Sequence, residues 1–452
     1  MLKLFAGIVA LFLGVGSSAF AQIEGGVYID TNRNGIRDAG EKGIKGICVQ
    51  DGLHVVQTAE DGSFTLPGHK DTRFITLTVP DGFQASASHY LPFDGTGKKY
   101  ELGICKSPVR TGNGYSFVQI TDTETSLYGD WIDNLKEYVK TNPTAFIIHT
   151  GDVCYEAHQD FHGRYLRSED LGVPTYYCVG NHDLRAGRYG EELWQSHFGP
   201  SWYSFDVGNV HYVVTPMLGG DHAPSYRRAD IIRWLKNDLA QINRDKRVVL
   251  FNHDLWFWGD DLLFKDKNGE QIDFADYNLD AMIYGHWHNH YYKQLKSGLH
   301  TYCSSTPDKG GIDHGTSCFR IYHADTKGKL SSETRYTYID GILTSAYPAE
   351  GEIVSVSDGK MTVRINAYRT VSYAKKVTAS VERNGKIMSS VTLLPETDWE
   401  WSGAVRVSDG KQRLLVTAEF EDGTRLTKRV DYTVTGQPAA SAVTSAIWAG
   451  LR

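Results

Sequence analysis

The sequence lacks the features that mark nucleic-acid-binding or membrane-embedded proteins. Its 452 residues carry a formal net charge of −7, and no long run of lysine and arginine occurs. A nucleic-acid backbone would find no basic stripe, so we expect no nucleic-acid partner. Beyond residues 1–21, no apolar run reaches the about 20 residues that a bilayer-spanning helix needs. With 41% apolar and 22% charged residues, the composition is that of an ordinary globular protein.

Residues 1–21 predict an export signal. Lys3 precedes an apolar run that ends near Val15, and Ala19-Phe20-Ala21 supplies the small residues of a cleavage site before Gln22. The run is too short to cross a bilayer, and no cysteine follows the cleavage site to carry a lipid anchor. We therefore expect an exported protein, periplasmic or secreted, with no membrane span after signal cleavage.

Cysteine is scarce, and none has the C-x-x-C spacing of zinc or redox sites. The six cysteines allow 15 pairings, among which the sequence does not choose. Export permits disulfides. The simplest expectation pairs neighbours, Cys303 with Cys318 and Cys48 with Cys105. Cys154 is expected to be buried or disulfide-bonded rather than a metal neighbour.

Periodicity divides the rest of the chain into three regions, in line with about 150 residues per domain. Short strands without helical periodicity predict an N-terminal β-sandwich over residues 23–107. Strands alternate with amphipathic helices over residues 113–340, which predicts α/β layering with helices outside the sheets. Strands alone predict a second β-sandwich over residues 345–440. The small, apolar residues 441–452 form a tail that the patterns do not place.

Local patterns predict particular elements within these regions. Asp61-Gly62 and Gly208-Asn209 each separate two strand-like runs, so each is expected to close a hairpin. Apolar residues recur at helical spacing over residues 131–139 and 231–239, which predicts one amphipathic helix in each segment.

Oxygen and imidazole donors follow the predicted strands of the central region in short clusters. The carboxyl ends of strands meet at one edge of an open α/β sheet, so these clusters are expected to converge. Such donors suit Mn, Fe, Zn or Mg, and about eight of them suffice for two ions. Two ions can clamp a phosphate and activate a bridging water. The clusters are Asp122-Thr123-Glu124, Gly151-Asp152, Gly180-Asn181-His182-Asp183, His253 and Gly285-His286-Trp287-His288.

In this order the clusters resemble the pattern D-x-H, G-D, G-N-H-[DE], H, G-H-x-H of the calcineurin-like metallophosphoesterases. The flanking β regions resemble the accessory domains of an exported bacterial branch of that family. The resemblance implies a central β-sandwich flanked by helices in α/β/β/α layers, with a prealbumin-like sandwich before it. It also implies hydrolysis of a phosphate mono- or diester on a small substrate, with a bridging water or hydroxide as nucleophile at two metal ions.

The resemblance also assigns residue roles. The implied metal ligands are Asp152 on both ions, Asp122 and His288 on the first, and Asn181, His253 and His286 on the second. His182 is implied to be the general acid toward the leaving oxygen, or to stabilise charge on the phosphate. Asp183 is implied to orient His182 by accepting a hydrogen bond, which would raise the pKa of that imidazole.

Glu124 departs from the family pattern, which usually has histidine at this position. A carboxylate can still coordinate, and its added negative charge favours a harder metal on the first ion's side. Alternatively, Glu124 points away and the first site is weak or empty. We favour coordination, and the identity of both metals stays open.

Histidines and tryptophans outside these roles were weighed separately. We expect His149, His211 and His300 to be packed or on the surface. His222 and His290 are weaker candidates for substrate contact. Three tryptophans follow metal-ligand positions and are candidates for lining a cleft that takes sugar or base rings, namely Trp256, Trp258 and Trp287.

Residues 30–41 match the calcium-loop pattern D-x-N-x-N-G-x5-E, but no amphipathic helix flanks them. The segment resembles the calcium-binding turn of prealbumin-like surface domains, in which calcium would have a structural role. An Asx-rich turn held by its own side chains is the alternative. The candidate calcium ligands are Asp30, Asn32, Asn34, Ile36, Asp38 and Glu41.

The sequence leaves two other functions open. A nucleotide or nucleotide-sugar pyrophosphatase would share the metal core and differ in the leaving group. A surface binding module with a degenerate metal site is a non-enzymatic alternative, against which the retained His182-Asp183 pair argues. The oligomeric state leaves no trace in the sequence.

Overall fold

The computed structural model describes residues 22–436. The predicted signal, residues 1–21, and the predicted tail, residues 441–452, lie outside the described residues. Among residues 22–436, no helix combines the length and apolar character needed to cross a membrane.

The N-terminal region is built from two four-stranded sheets, with strand orders β4-β1-β8-β6 and β3-β2-β5-β7. Alternation along β4 buries Phe64 and Leu66 between the sheets, as expected for a sandwich. The strands are β1 Ile23–Ile29, β2 Cys48–Gln50, β3 Val55–Gln57, β4 Ser63–Leu66, β5 Phe74–Leu77, β6 Phe83–Ala85, β7 Tyr90–Pro92 and β8 Tyr100–Lys106.

The hairpin predicted at Asp61-Gly62 is wrong. The turn joins β3 to β4, but β3 pairs with β2 and β4 pairs with β1, in different sheets. The turn packs on β1, where the Val27 N–H donates to the Gly62 carbonyl at 2.9 Å. A side chain at Gly62 would overlap the Val27 carbonyl oxygen. The glycine is therefore needed for close approach in a turn that crosses between the sheets.

The central region has two sheets with helices outside them, which confirms the predicted fold class. The sheet orders are β11-β10-β9-β20-β21 and β12-β13-β14-β17-β19-β18, with β15 and β16 forming a separate pair. The strands are β9 Tyr115–Ile120, β10 Ile147–His149, β11 Thr175–Tyr177, β12 Tyr203–Val207, β13 Val210–Val214, β14 Arg247–Phe251, β15 Leu263–Lys265, β16 Gln271–Asp273, β17 Leu279–Tyr284, β18 Tyr291–Gln294, β19 His300–Cys303, β20 Cys318–Ala324 and β21 Leu330–Tyr336. The helices are α1 Asp130–Thr141, α2 Glu156–Tyr165, α3 Ser168–Leu171, α4 Glu192–Phe198 and α5 Arg228–Leu239, with a 3-10 turn at Phe274–Asp276.

Stacked aromatic rings hold the two central sheets together. Phe146 packs edge-on against Phe205 with ring centroids 5.0 Å apart, and Tyr176 stacks on Phe205 at 3.9 Å, both across the sheets. The hairpin predicted at Gly208-Asn209 is confirmed as β12 paired antiparallel with β13. The predicted helices correspond to α1 and α5, whose apolar faces are buried. The aromatic layer sets the spacing at which the strand ends of both sheets meet.

The C-terminal region is a second pair of sheets, with orders β22-β24-β28-β27 and β23-β30-β29-β25-β26. Buried Arg335 of β21 joins it to the central region, because the guanidinium donates to the Thr370 carbonyl at 3.2 Å. The strands are β22 Ile342–Tyr347, β23 Ile353–Ser355, β24 Lys360–Tyr368, β25 Ala374–Arg383, β26 Lys386–Thr392, β27 Leu394–Pro395, β28 Glu400–Arg406, β29 Gly410–Phe420 and β30 Arg425–Thr435.

The predicted disulfide pairs are wrong, because all six cysteines are unpaired. The Cys303 thiol donates to the Gly285 carbonyl at 3.1 Å, whereas the Cys318 sulfur lies 3.2 Å from His290 Nε2. Cys48 and Cys105 lie on β2 and β8, which belong to different sheets. Nearness in sequence therefore did not bring these thiols together.

A buried ion cluster lies where the N-terminal and central regions meet. His211 Nδ1 lies 2.7 Å from Asp206, and its Nε2 lies 2.9 Å from Asp238. Burial lowers the pKa of the His211 imidazole, but the two carboxylates outweigh burial and raise its pKa to about 9. Lys246 also pairs with Asp206 at 2.6 Å. The geometry holds His211 as a doubly protonated imidazolium.

This cluster predicts a loss of stability as the pH rises. The pKa of His211 goes from 6.5 in the unfolded chain to about 9 in the folded protein. Its stabilising contribution is therefore complete below pH 6.5 and disappears as the pH rises through 9. Over this pH window, the free energy of unfolding of the wild type, measured with denaturant, should fall by up to about 3 kcal/mol relative to that of His211→Gln. If the free energies of unfolding of the two proteins changed with pH in parallel, the prediction would be contradicted.

Candidate metal centre

The donor clusters all follow strands whose carboxyl ends face one another across the two central sheets. Strands β9, β10 and β11 are parallel neighbours in one sheet, and β14 and β17 are parallel neighbours in the other. Asp122, Asp152 and Asn181 follow the first three strands, and His253 and His286 follow the other two. The topology therefore gathers donors that are far apart in sequence.

The gathered side chains lie within a few ångströms of one another. His288 Nε2 lies 3.1 Å from Asp122 Oδ1, and His253 Nε2 lies 3.1 Å from Asp152 Oδ2. His253 Nε2 is also 3.8 Å from Asp122 Oδ1. Ligand atoms of Asp152, His253 and His286 lie within 4.8 Å of one another. Asp122, Asp152 and His253 are buried, and burying such groups together is costly unless a cation compensates the carboxylates.

Backbone strain concentrates in these loops. Left-handed φ angles cost a non-glycine residue about 1–3 kcal/mol and persist where the surrounding structure imposes them. Six of the ten non-glycine residues with positive φ among residues 22–436 lie here: Asp122, Glu124, Asp152, Cys154, His286 and His288. The strain directs donor side chains to a common point rather than following local preference.

Two glycines leave room for the donors. A side chain at Gly180 would overlap the Asp152 carboxylate, and one at Gly285 would overlap Thr121 and Asp122. Glycine is thus required at both positions by close approach, in agreement with the Gly180-Asn181 and Gly285-His286 steps of the sequence pattern.

Two buried atoms of the donor set make no hydrogen bond, and they show whether a metal fits the site. They are Asn181 Oδ1 and His253 Nε2. His253 Nδ1 lies 2.8 Å from the Thr150 carbonyl and donates to it, so Nε2 is the ring atom that would ligate a metal once it has given up its proton. Burial lowers the pKa of His253, but Asp152 and Asp122 outweigh it and raise the pKa to about 10. The two carboxylates therefore favour a positive charge at this position, and the oxygen and imidazole donors fit a divalent metal.

Glu124 lies at the edge of this donor set. Its Oε1 is 3.6 Å from His288 Nε2, and its Oε2 pairs with Lys309 Nζ at 2.7 Å. One carboxylate oxygen also lies within 4.8 Å of ligand atoms of Asp152 and Cys154. One side of the carboxylate therefore faces the donors, and a lysine balances the added charge on the other.

The predicted contact between His182 and Asp183 is wrong. Asp183 is fully buried, and its carboxylate accepts three backbone N–H groups, from Asp152 at 3.0 Å, Cys154 at 2.6 Å and Gly180 at 2.7 Å. A carboxylate saturated in this way cannot turn toward His182. Its geometric role is to fix the loops that carry the donors.

His182 is instead oriented by Asp221. His182 Nδ1 lies 3.0 Å from Asp221 Oδ1, and its backbone N–H donates to Asp152 Oδ1 at 3.0 Å. Arg185 donates to the other oxygen of Asp221 at 3.1 Å. Burial lowers the pKa of the His182 imidazole, but the hydrogen bond to Asp221 and the charge of Asp152 outweigh it and raise the pKa.

Sequence reasoning missed Asp221 and Lys309. Asp221 follows Gly219 and Gly220, and a side chain at Gly220 would overlap the Asn181 backbone. The Gly-Gly-Asp run is the one sequence feature that could have pointed to Asp221 as a site residue, because Asp221 is far from the donor clusters in sequence. Lys309 lies in a loop after β19 and carried no signal.

The remaining sequence candidates are placed as follows. His149 is buried, with its Nε2 3.0 Å from Thr123 Oγ1, and packs as expected. His290 contacts Arg320 and Cys318. Cys154 is a buried free thiol, and burial followed by neighbouring carboxylates raises its pKa above the usual range.

The predicted calcium loop folds around its own side chains. Both oxygens of Asp30 accept backbone N–H groups of the loop, at 2.6 and 2.8 Å. The amides of Asn32 and Asn34 donate to Asp38 Oδ2 at 2.7 and 2.8 Å. Glu41 accepts the N–H of Asp38 at 3.0 Å. These side-chain bonds are those of an Asx-rich turn, the alternative to a calcium site that the sequence left open.

Comparison with known families defines the class of protein. The family model described as calcineurin-like phosphoesterase matches residues 115–290, and the model described as N terminal of calcineurin-like phosphoesterase matches residues 31–95. Together they cover more than half of the chain, and the first spans every donor cluster. This fold and this donor set define a metal-dependent phosphoesterase, a hydrolase. The chain belongs to the calcineurin-like phosphoesterases.

Two of the similar solved structures are phosphoesterases by description and share little sequence with this chain. A dimetal phosphatase from Danio rerio is 12% identical, with 49% of this chain and 98% of that chain covered and a TM-score of 0.33. A conserved uncharacterized protein from Streptococcus pneumoniae, described as a predicted phosphoesterase, is 10% identical, with 49% and 98% covered and a TM-score of 0.25. No curated protein matches the chain.

Proposed function

We propose that the protein hydrolyses a phosphate mono- or diester of a small molecule at a dinuclear metal centre. The observation that carries this proposal is the convergence of buried carboxylates and imidazoles around two orphaned ligand atoms, Asn181 Oδ1 and His253 Nε2. In this proposal Asp122, Glu124 and His288 would hold the first ion, Asn181, His253 and His286 would hold the second, and Asp152 would be shared by both. Two divalent ions so held would clamp the phosphate and activate a water for in-line attack.

His182 is proposed to act on the substrate directly. Its Nδ1 faces Asp221, so Nε2 is the ring atom left to meet the substrate. A raised pKa keeps a proton on this ring, which can be donated to the leaving oxygen or can stabilise negative charge on the phosphate. Asp221 is a positioning residue in this scheme, and Asp183 holds the loops.

Lys309 is proposed to support the first ion's side of the centre. Its ammonium pairs with Glu124 Oε2 and leaves Oε1 turned toward His288. The lysine offsets the additional carboxylate that replaces the family's usual histidine. Glu124 can then coordinate without leaving the centre with excess negative charge.

A structural calcium ion at residues 30–41 is proposed as well, together with export to the periplasm or the extracellular medium. Calcium takes six to eight oxygen ligands, which the carboxylate and amide oxygens of this loop would supply. An exported protein meets calcium at concentrations that can occupy such a loop.

Removing and replacing metal ions tests the metal-dependent hydrolysis and the structural calcium site. Treatment with a chelator should abolish hydrolysis of a nitrophenyl phosphate ester, and Mn, Fe, Zn or Mg should restore it. Calcium should not restore turnover but should raise the Tm, with about 2.7 kcal/mol of stabilisation at about 100 times its Kd. Full turnover by protein that is metal-free by elemental analysis would contradict the metal mechanism. A Tm independent of calcium would contradict the calcium site.

A further inference from the structure

An exposed group of aromatic rings lies beside the metal centre. We call Trp258, Trp287 and Tyr291 the aromatic platform. Trp258 is 66% exposed, the highest value for a tryptophan among residues 22–436. Its ring centroid lies 5.2 Å from that of Trp287 at 31°, and Tyr291, 38% exposed, lies 5.4 Å from Trp287 on another side.

Trp287 fixes the platform to the donor loops. It stands between His286 and His288 in the chain. Its indole N–H donates to Asp254 Oδ1 at 3.1 Å, and Asp254 directly follows His253. The indole thus bridges the loops after β14 and β17, both of which carry proposed metal ligands. The platform is held at the rim of the centre by the loops that build the centre.

The exposure of Trp258 is unusual among the tryptophans of residues 22–436. Its neighbour Trp256 stacks on Phe264 with centroids 3.9 Å apart and planes at 3°, so that tryptophan serves packing and not a cleft. Trp131 and Trp234 are buried completely. Burying apolar surface stabilises a protein by about 25 cal/mol per Å², and an exposed tryptophan ring does not contribute this free energy. A ring left open at the rim of a reaction centre is placed to meet a ligand.

The charged residues near the platform indicate which part of the substrate contacts it. Asp260 and Asp261 are exposed in the same loop as Trp258, and they outnumber the exposed Lys296, whose backbone N–H donates to Asp260 Oδ1 at 2.7 Å, so the loop disfavours a phosphate. Lys309 and His182, in contrast, lie beside the proposed metal ligands. The phosphate therefore belongs at the metal centre, and an uncharged ring belongs on the platform.

We propose that the platform stacks a planar aromatic ring in the organic part of the substrate, which makes the substrate a nucleoside phosphate or a chemically similar aryl-bearing ester. Aromatic faces favour offset stacking at the ring separations seen within the platform, and stacking of a base on an aromatic side chain is sequence-tolerant and substantial. The inference rests on the proposed hydrolysis of a phosphate ester and adds the class of the esterified group.

The test compares adenosine monophosphate with glycerol phosphate as substrates of the metal-reconstituted, full-length protein. In Trp258→Ala the ratio of kcat/KM for the nucleotide to kcat/KM for glycerol phosphate should fall about tenfold, mainly through KM. Trp258→Phe should recover most of the ratio. Trp399→Ala removes a partly exposed tryptophan of the C-terminal region and should leave the ratio unchanged. An unaltered ratio in Trp258→Ala overturns the inference.

Two further arms separate the possible failures. With glucose phosphate as a third substrate, a loss in Trp258→Ala confined to the sugar ester would mean that the platform binds carbohydrate and would overturn the inference. Calorimetric binding of adenosine monophosphate needs no turnover. If the wild type hydrolyses no ester yet binds the nucleotide about tenfold more tightly than Trp258→Ala, the proposed function fails and the platform assignment stands. Equal binding by both proteins overturns the assignment.

Discussion

Asp152→Asn should lower kcat for phosphate esters by a factor of about 1,000 or more. Metal ions supply several kcal/mol of transition-state stabilisation, and about 1.4 kcal/mol corresponds to a factor of ten in rate. Asp152 is proposed to touch both ions, so its loss affects the whole centre. The neutral amide keeps the shape of the side chain and can still accept the His182 N–H through its Oδ1.

Steady-state kinetics and elemental analysis of the purified variant would measure this effect. The bound metal should fall below two ions per chain, while circular dichroism should show the fold unchanged. Asp431→Asn is a matched control, because it removes a surface carboxylate that pairs with Arg413 in the C-terminal sheet. It should keep wild-type turnover and metal content. Wild-type turnover in Asp152→Asn would show that the assigned centre is not the reaction centre.

His182→Gln should lower kcat by a factor of about 100 to 10,000, the range that general acid–base catalysis contributes. The size of the effect should depend on the leaving group. A general acid matters most for an alkyl ester, whose leaving oxygen needs a proton, and least for a nitrophenyl ester. An equal loss for both esters would favour charge stabilisation on the phosphate instead. No loss for either ester would remove His182 from the mechanism.

Asp221 and Asp183 give this prediction an internal comparison. Asp221→Asn weakens the partner of His182 together with the ion pair to Arg185, and should reproduce the leaving-group dependence at a smaller size, with stability retained. Asp183→Ala leaves three backbone N–H groups without their acceptor. Each buried unsatisfied group costs about 1–3 kcal/mol, so this variant should mainly lose stability. The reverse pattern would restore the orienting role that the sequence suggested for Asp183.

The donor clusters were predictable because strand ends and ligand chemistry are both readable along the chain. A run such as Phe146-Ile147-Ile148 followed by Gly151-Asp152 marks a buried strand and the loop at its carboxyl end. Parallel pairing of β9, β10 and β11 then brings the following loops to one edge. The order of strands across the two sheets had no local signal, and only the layering of the two sheets entered, through the family resemblance.

Contacts that depend on side-chain direction could not be read in the same way. Asp183 is adjacent to His182 in sequence, yet its carboxylate points into the loop backbone. Asp221 reaches His182 from a distant loop. The turn at Asp61-Gly62 has hairpin chemistry, but packing on β1 sends its two strands into different sheets. In each case tertiary packing overrode a correct local pattern.

The most direct test of the central claim is anomalous diffraction from a crystal of the full-length protein soaked in manganese. We expect two peaks, roughly 3.5–4 Å apart, with Asp152 between them and with Asn181 and His253 on one of the two ions. A lone peak would contradict a dinuclear centre. The absence of any peak among these side chains, at full occupancy elsewhere in the crystal, would contradict the whole assignment.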